Sequence, residues 1–138
     1  MKVLLKTIIA VAGVCFLLSA VSIRQSTPWV APASADTIQN PLSGNVASVD
    51  SGKKLYNKFC VVCHGSKGMG DGIAAAGLNP KPANHTSEAV QKQTDGAIFW
   101  KLTTGRPPMA GYAKTFNETQ RWQLVNYMRA LKAPDKSK

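Results

Sequence analysis

The sequence predicts an all-α domain, and two observations support that prediction. Apolar residues recur at spacings of three and four in three segments, and a residue able to cap a helix stands at the start of each. No segment alternates between apolar and polar residues in the way that a half-buried strand does. We therefore expect helices throughout the folded part of the chain.

The first helix is predicted to begin at Ser48 or Asp50, either of which can act as its N-cap, and to run to Cys63. Its apolar residues share one helical face: Leu55, Tyr56 and Phe59. The stretch from 65 to 82 then contains five glycines and two prolines, a density that excludes long regular structure. This stretch is predicted to be a loop that wraps around a bulky group.

Two further helices have recognisable ends. Thr94 or Asp95 is expected to start a short buried helix, which Gly105 stops. The last helix is predicted to start at Asn117, with Gln120 three residues later in the capping-box arrangement. Its apolar residues recur every three positions and Pro134 closes it: Trp122, Val125, Met128 and Leu131.

The N-terminus has the features of an export segment. Lys2 and Lys6 precede an apolar run over residues 7–23, and Ala33-Ser34-Ala35 has the small-x-small pattern that signal peptidases recognise. Residues 1–35 are therefore predicted to be a cleaved export signal, which places the domain in the periplasm or at the outer face of the cytoplasmic membrane. The alternative is that residues 7–23 stay as an N-terminal anchor in contact with the membrane, although a spanning helix needs about 20 apolar residues.

Residues 36–47 show little periodicity and are predicted to be a linker, which leaves residues 48–138 as the folded domain. Removing residues 1–35 takes away three of the 17 basic residues and none of the 7 acidic ones, so the remaining chain carries a net charge of +7. The basic residues are scattered, which argues against a nucleic-acid partner. Redox proteins with an acidic docking face are the expected partners.

Cys60-Val61-Val62-Cys63-His64 is the c-type haem attachment pattern. On a helical turn, cysteines three positions apart point the same way, so both thiols can join one edge of a porphyrin. His64 then presents its imidazole to the iron. The motif predicts one covalently bound haem c, held by Cys60 and Cys63, with His64 as an axial ligand of the metal.

Two other interpretations of the paired cysteines are open. A structural zinc site needs four ligands, and His64 and His85 are the two histidines of the chain, so carboxylates would have to complete it. A thioredoxin-like dithiol requires a βαβ context, which the helical pattern does not provide.

The second axial ligand is predicted to be Met109. Methionine and histidine are the usual partners of an axial histidine. Met69 is only five residues from His64, too near to reach the opposite side of the ring, and Met128 belongs to the apolar face of the last helix. Met109 lies in a proline-rich loop 45 residues after His64. The alternatives are that Met109 fills a gap in the core and that His85 is the ligand.

Residues 50–132 resemble class I monohaem cytochromes c, in particular bacterial cytochromes c related to the haem domains of cbb3-type oxidases. The matching stretches are residues 52–56, 60–65, 70–72, 95–100 and 121–127. The resemblance implies the class I cytochrome c fold, with three to five helices wrapped around one haem. Relatives often place a proline after the ligand methionine, whereas here two prolines precede Met109.

The resemblance also implies two details of the packing. The first and last helices are expected to cross near Gly52, with Tyr56 and Tyr127 nearby. The carbonyl of Pro80 or Pro82 is expected to orient His64 through its second ring nitrogen. Trp100 is either a core aromatic or a haem contact, and Arg106 is either a solvated cation or the partner of a propionate.

An iron with both axial positions filled by protein has no vacancy for a substrate. The predicted function is therefore one-electron transfer between respiratory-type redox partners outside the cytoplasmic membrane, without enzymatic activity. One alternative is a membrane-anchored haem subunit of a larger redox complex. Another is a haem enzyme or gas sensor with a labile distal ligand.

Overall fold

The computed structural model describes residues 27–132, which form six α-helices and a 3₁₀ turn at Ala75–Gly77. Three helices are long: α2 (Val46–Phe59), α5 (Asp95–Thr104) and α6 (Glu118–Ala130). Three are single turns: α1 (Ala33–Asp36), α3 (Val61–His64) and α4 (Glu88–Gln91). The described residues contain no strand, only an isolated bridge between Arg106 and Met109. The predicted all-α class is confirmed.

Helices α2 and α6 cross at Gly52, as the resemblance implied. A Cβ atom at this position would lie 1.9 Å from the backbone oxygen of Gln123 and 2.9 Å from Cβ of Tyr127. Any larger residue would therefore push the helices apart. The rings of Tyr56 and Tyr127 meet beside the crossing, with centroids 5.1 Å apart.

The hydrophobic core lies where α2 and α6 meet α5. Its most completely buried side chains come from α2 and α6: Tyr56, Trp122, Leu124 and Val125. The ring of Phe99 on α5 stacks on that of Trp122, with centroids 4.0 Å apart and planes 15° apart. Because burying one such side chain stabilises a fold by about 1.5–3 kcal/mol, this cluster is a main source of the domain's stability.

The predicted start and end of α5 and the predicted start of α6 are confirmed. Thr94 caps α5, since its Oγ1 accepts a hydrogen bond from the backbone N–H of Ala97 (3.0 Å), and Gly105 ends the helix with φ of 66°. Asn117 and Gln120 form the predicted capping box at the start of α6 through reciprocal bonds of 2.9 and 3.0 Å. Pro134 lies outside the described residues.

The predicted start and end of the first long helix were wrong. Asn45 caps α2, because its Oδ1 accepts from the backbone N–H of Ser48 (3.1 Å). Ser48 is buried inside the first turn and donates its hydroxyl to the carbonyl oxygen of Asn45 (2.7 Å). The helix also ends at Phe59, and the chain continues to His64 as the separate turn α3.

The segment before α2 is attached to the other helices. Asn40 donates through Nδ2 to carboxylate Oδ2 of Asp95 and to Oδ1 of Asn126, both at 2.7 Å. Asn126 in turn donates to the carbonyl oxygen of Leu42 (2.7 Å). The division of the chain at residues 35 and 47 stays a prediction, since the apolar run of 7–23 lies outside the described residues. Among residues 27–132, no helix combines the length and the apolar character needed to cross a membrane.

Candidate haem-binding site

The Cys-x-x-Cys-His motif forms a helical turn directly after α2. The carbonyl oxygen of Cys60 accepts hydrogen bonds from the backbone N–H groups of Cys63 (3.2 Å) and His64 (2.9 Å). Both cysteines are free; Cys60 is buried and Cys63 is half-buried. Burial, and secondarily the nearby Cys63, raises the pKa of the Cys60 thiol to about 12. The turn therefore presents two unpaired sulfur atoms next to one imidazole.

The imidazole of His64 is held in the tautomer that a metal needs. Its Nδ1 lies 3.0 Å from the carbonyl oxygen of Ala83, and a carbonyl can only accept, so Nδ1 carries the proton. Nε2 is left with a free lone pair, which is the arrangement found for metal-binding histidines. Burial lowers the pKa of His64, and the hydrogen bond with Ala83 has a smaller effect in the opposite direction. The lowered pKa keeps the ring neutral.

The acceptor on this histidine differs from the expected one. The carbonyl of Pro80 or Pro82 was expected to orient His64, and that expectation was wrong by one residue, because the loop brings the carbonyl of Ala83 to Nδ1. The sequence indicates that a proline-containing loop lies near His64, but it does not show which carbonyl of that loop points toward Nδ1.

The glycine-rich stretch folds back on the motif. Backbone N–H groups of Gly70, Gly72 and Ala74 donate to the carbonyls of His64 (2.9 Å), Cys63 (3.1 Å) and Val62 (2.9 Å). These bonds satisfy the carbonyl groups at the end of α3, which a short helix leaves without partners. The stretch is irregular apart from the turn at Ala75–Gly77, as predicted, and it fixes the position of the helical turn that carries the cysteines.

His85, the rival ligand, stacks on His64. The ring centroids are 4.1 Å apart with planes 22° apart, and Nδ1 of His85 is hydrogen-bonded to the hydroxyl of Tyr56 (3.1 Å). Two ligands on opposite sides of one iron approach it edge-on along a common line, whereas these rings lie face to face. In this arrangement His85 supports His64 and does not oppose it. Burial lowers the pKa of His85 to about 3, so it too is neutral.

Met109 lies in the loop between α5 and α6. It is half-buried and packs against the core cluster that includes Cys60. The loop is tied by the Arg106 and Met109 bridge, in which each backbone N–H donates to the other residue's carbonyl (3.0 and 2.9 Å). Met69 is 52 % exposed, and Met128 is buried on α6. Among residues 27–132, Met109 is therefore the methionine that lies in a loop and packs against the core cluster next to the motif.

Tyr112, in the Met109 loop, packs against the core cluster that includes Cys60, a contact that we did not predict. Burial, and then the nearby thiols of Cys60 and Cys63, raise the pKa of Tyr112. Its backbone N–H donates to the carbonyl oxygen of Leu102 (2.8 Å), which fixes the loop against the end of α5. An aromatic residue three positions after the predicted ligand is the signal in the sequence from which this contact could have been suspected.

The competing interpretations of the motif gain no support. Within residues 27–132, no three side chains of His, Cys, Asp or Glu converge as a metal-ion site would require. A dithiol site of the thioredoxin kind needs a βαβ unit, and the described part of the chain is helical. The donor set that is present, two free thiols and a histidine with a bare Nε2, fits a c-type haem.

The family of the chain is established by comparison with protein-family models. Residues 47–128 match the family described as cytochrome c oxidase, cbb3-type, subunit III. The chain belongs to this family and is a c-type cytochrome, which confirms the resemblance inferred from the motifs. The helical arrangement is that of class I cytochromes c.

A solved structure from Kuenenia stuttgartiensis, described as a reducing HAO-like protein complex, is similar to this chain. The two share 28% sequence identity with a TM-score of 0.61 over 83% of this chain. The chain spans about half of the length of that protein's chain, since the match covers 54% of it. A comparison with curated protein sequences finds no significant match.

Proposed function

We propose that this protein is a one-electron carrier with a single haem c, attached to Cys60 and Cys63 and ligated by His64 and Met109. The observation that carries the proposal is the His64 and Ala83 hydrogen bond, which leaves a bare Nε2 beside two free thiols. When bound, the haem supplies an iron that alternates between the ferric and ferrous states. Methionine as the partner of histidine raises the reduction potential of such an iron.

The residues around the motif suit a carrier. Cys60 and Cys63 keep the cofactor on a domain too small to hold it by burial alone. The half-buried Met109 would be the second protein ligand of the iron, and it would leave no site for oxygen or substrate. Absence of enzymatic activity is part of the proposal.

Covalent attachment is tested by mass spectrometry of the exported, denatured protein. We expect the mass of the chain plus one haem, because a thioether forms when each thiol adds across a vinyl group without a leaving group. The Cys60→Ala/Cys63→Ala double variant is the control and should release its haem into acidified organic solvent. Release from the natural sequence would refute covalent attachment.

Ligation by Met109 is tested by absorption spectroscopy. Met109→Ala should abolish the sulfur-to-iron charge-transfer band at the red end of the spectrum, and Met69→Ala, at a 52 % exposed methionine, should keep it. The potential of Met109→Ala should fall by roughly 0.1 V or more, within the range of about 0.8 V over which axial ligands act. An unchanged spectrum in Met109→Ala would move the ligand to another residue.

A second candidate is a haem subunit of a membrane complex. Two findings favour it: the matching family is described by an oxidase subunit, and the similar solved structure is part of a complex. Cell fractionation separates the two candidates. Release into the soluble periplasmic fraction agrees with a mobile carrier, whereas retention in the membrane at high salt agrees with an anchored subunit.

The surface charge supports an acidic partner. Lys53, Lys54 and Lys58 are exposed on α2, and the salt bridges among residues 27–132 are Lys92 with Glu88 and Arg129 with Asp95. The three α2 lysines thus have no acidic partner within the described residues. Electrostatic attraction chiefly accelerates association in small, transient interfaces such as those of electron carriers.

Salt dependence tests this part of the proposal. The Debye length falls from about 10 Å at 0.1 M salt to about 3 Å at 1 M. Electron-transfer rates with the physiological partner should therefore drop steeply over that range, and less steeply in a Lys53→Gln/Lys54→Gln/Lys58→Gln variant. Rates that do not change with salt would refute diffusive docking on an acidic face.

A further inference from the structure

We propose that residues 27–40 form a permanent strap of the mature domain and that Trp29 in this strap is a positioning residue for the loop that carries Met109. The proposal rests on the proposed function, because it takes Met109 as the ligand. It also replaces the predicted cleavage after Ala35 by cleavage upstream of residue 27 or by retention of the N-terminus.

Trp29 lies between the side chains of α5 and of the ligand loop. Its ring centroid is 6.4 Å from that of Trp100, 5.6 Å from Nζ of Lys101 and 5.2 Å from Cζ of Arg106. The two cations lie against the same ring and are therefore near each other; burial, and secondarily Arg106, lowers the pKa of Lys101. The aromatic face of Trp29 is an attractive partner for both. It therefore holds Arg106 beside a residue that would otherwise repel it.

Arg106 passes this restraint to the ligand. Its Nη1 donates to the carbonyl oxygen of Thr27 (2.9 Å), while its backbone forms the two-bond bridge with Met109. The strap thus binds the side chain of Arg106, and the backbone of Arg106 holds Met109 in position. The sequence left the roles of Trp100 and Arg106 open, and the structure shows that both side chains lie against Trp29 of the strap.

The strap is packed into the domain. Ala35 is 1% exposed, and a Cβ atom at Gly96 would lie 2.0 Å from the carbonyl oxygen of Ala35. Asp36 accepts through Oδ1 from the hydroxyl of Thr94 (2.7 Å), the N-cap of α5. Cleavage after Ala35 would cut helix α1, remove Trp29 and expose the start of α5.

The sequence offers a peptidase pattern that spares the strap. Ala20-Val21-Ser22 also has small residues at the first and third positions and lies at the C-terminal end of the apolar run of residues 7–23. Cleavage there leaves the whole of residues 27–40 in place. The proposal therefore requires no departure from export.

The first test is the N-terminus of the exported, haem-loaded protein, determined by intact mass and N-terminal sequencing. We expect it at residue 27 or earlier. An N-terminus at Asp36 would overturn the proposal, and it would leave the proposed function untouched because the cysteines and both ligands remain.

The second test measures how readily imidazole displaces Met109 from the ferric protein, followed by loss of the charge-transfer band. Trp29→Ala should bind imidazole roughly two- to fivefold more tightly than the natural sequence, the effect of losing about one exposed cation–π contact. Trp29→Phe, which keeps an aromatic face, and Val30→Ala, at a 77 % exposed neighbour, should bind it as the natural sequence does.

A double-mutant cycle shows whether Trp29 acts through Arg106. Arg106→Ala should raise the imidazole affinity by a similar factor, and the double variant Trp29→Ala/Arg106→Ala should be no tighter than the single ones. Additive factors, or equal affinities of Trp29→Ala and Val30→Ala, would overturn the positioning role. A natural protein without the charge-transfer band would instead show that the proposed ligation by Met109 is wrong.

Discussion

The crossing of α2 and α6 and the ligand side of the domain are built in different ways. At the crossing, two backbones touch at Gly52, and Tyr56, Leu124 and Val125 are completely buried. On the ligand side, loops supply Met109 and the support of His64, and they are closed by backbone hydrogen bonds. Apolar groups there stay open to solvent, with Ile73 91 % exposed.

This difference separates stability from ligation. Volume and close packing determine the helix crossing, so small changes there cost much free energy of unfolding. The loops that carry Met109 and Ala83 depend on a few directional bonds and, under the proposed function, on the haem that they would enclose. Substitutions at the crossing should therefore lower stability, whereas substitutions in the loops should change the spectrum and the potential.

Gly52→Ala should produce the largest loss of stability. The new methyl group would lie 1.9 Å from the backbone oxygen of Gln123, and neither backbone can yield without separating the helices. We expect a loss of about 3 kcal/mol in the free energy of unfolding of the haem-loaded protein, the upper end of the usual overpacking cost. The control is Gly77→Ala, where an added Cβ has no neighbour within 4 Å. Equal stability of the two variants in urea titrations would contradict close packing at the crossing.

Asn126→Ala should cost somewhat less. Asn126 is 7% exposed, donates to the carbonyl oxygen of Leu42 and accepts from Asn40, so its truncation removes one hydrogen bond from each of these two partners. The expected loss is about 2 kcal/mol. Asn57→Ala, at an exposed position of α2, is the matched control and should be nearly neutral. A nearly neutral Asn126→Ala would show that this polar cluster does not tie residues 40–45 to the helices.

His85→Ala should give a smaller change that involves both regions, because His85 lies between them. The substitution removes the ring stacked on His64 and leaves the Tyr56 hydroxyl without its partner, at a cost of about 1–2 kcal/mol. His85→Phe keeps a ring face and should lose less. Both variants should retain the charge-transfer band, whereas its loss in His85→Phe would show that the ligation by Met109 depends on the His85 side chain.

Much of the fold could be predicted because it depends on local signals. Thr94, Asn117 and Gln120 cap helices through bonds to residues three positions away, and such bonds are visible in a sequence. The start of α2 was predicted wrongly because Ser48, a residue type that often caps helices, is buried in the first turn and donates its hydroxyl to Asn45. The single turns α1 and α4 are too short to show a periodic pattern.

The site was predictable where chemistry dictates the spacing. Cysteines three positions apart followed by histidine form one turn, and the structure shows that turn. Three other interactions join segments that are far apart in the sequence. They are the hydrogen bond of His64 with Ala83, the stacking of His85 on His64, and the contact of Trp29 with Arg106. Long-range contacts of this kind depend on how the loops fold back, and no local pattern encodes them.

Carbon monoxide binding to the reduced protein shows whether both axial positions of the iron are filled, because only an iron with an open axial position takes up this ligand readily. With His64 and Met109 both bound, the visible spectrum of the natural sequence should not change under carbon monoxide. The Met109→Ala variant, which opens the position, should bind the gas readily and serves as the positive control. Ready formation of a carbon monoxide complex by the natural sequence would contradict the closed iron and favour a haem enzyme or gas sensor.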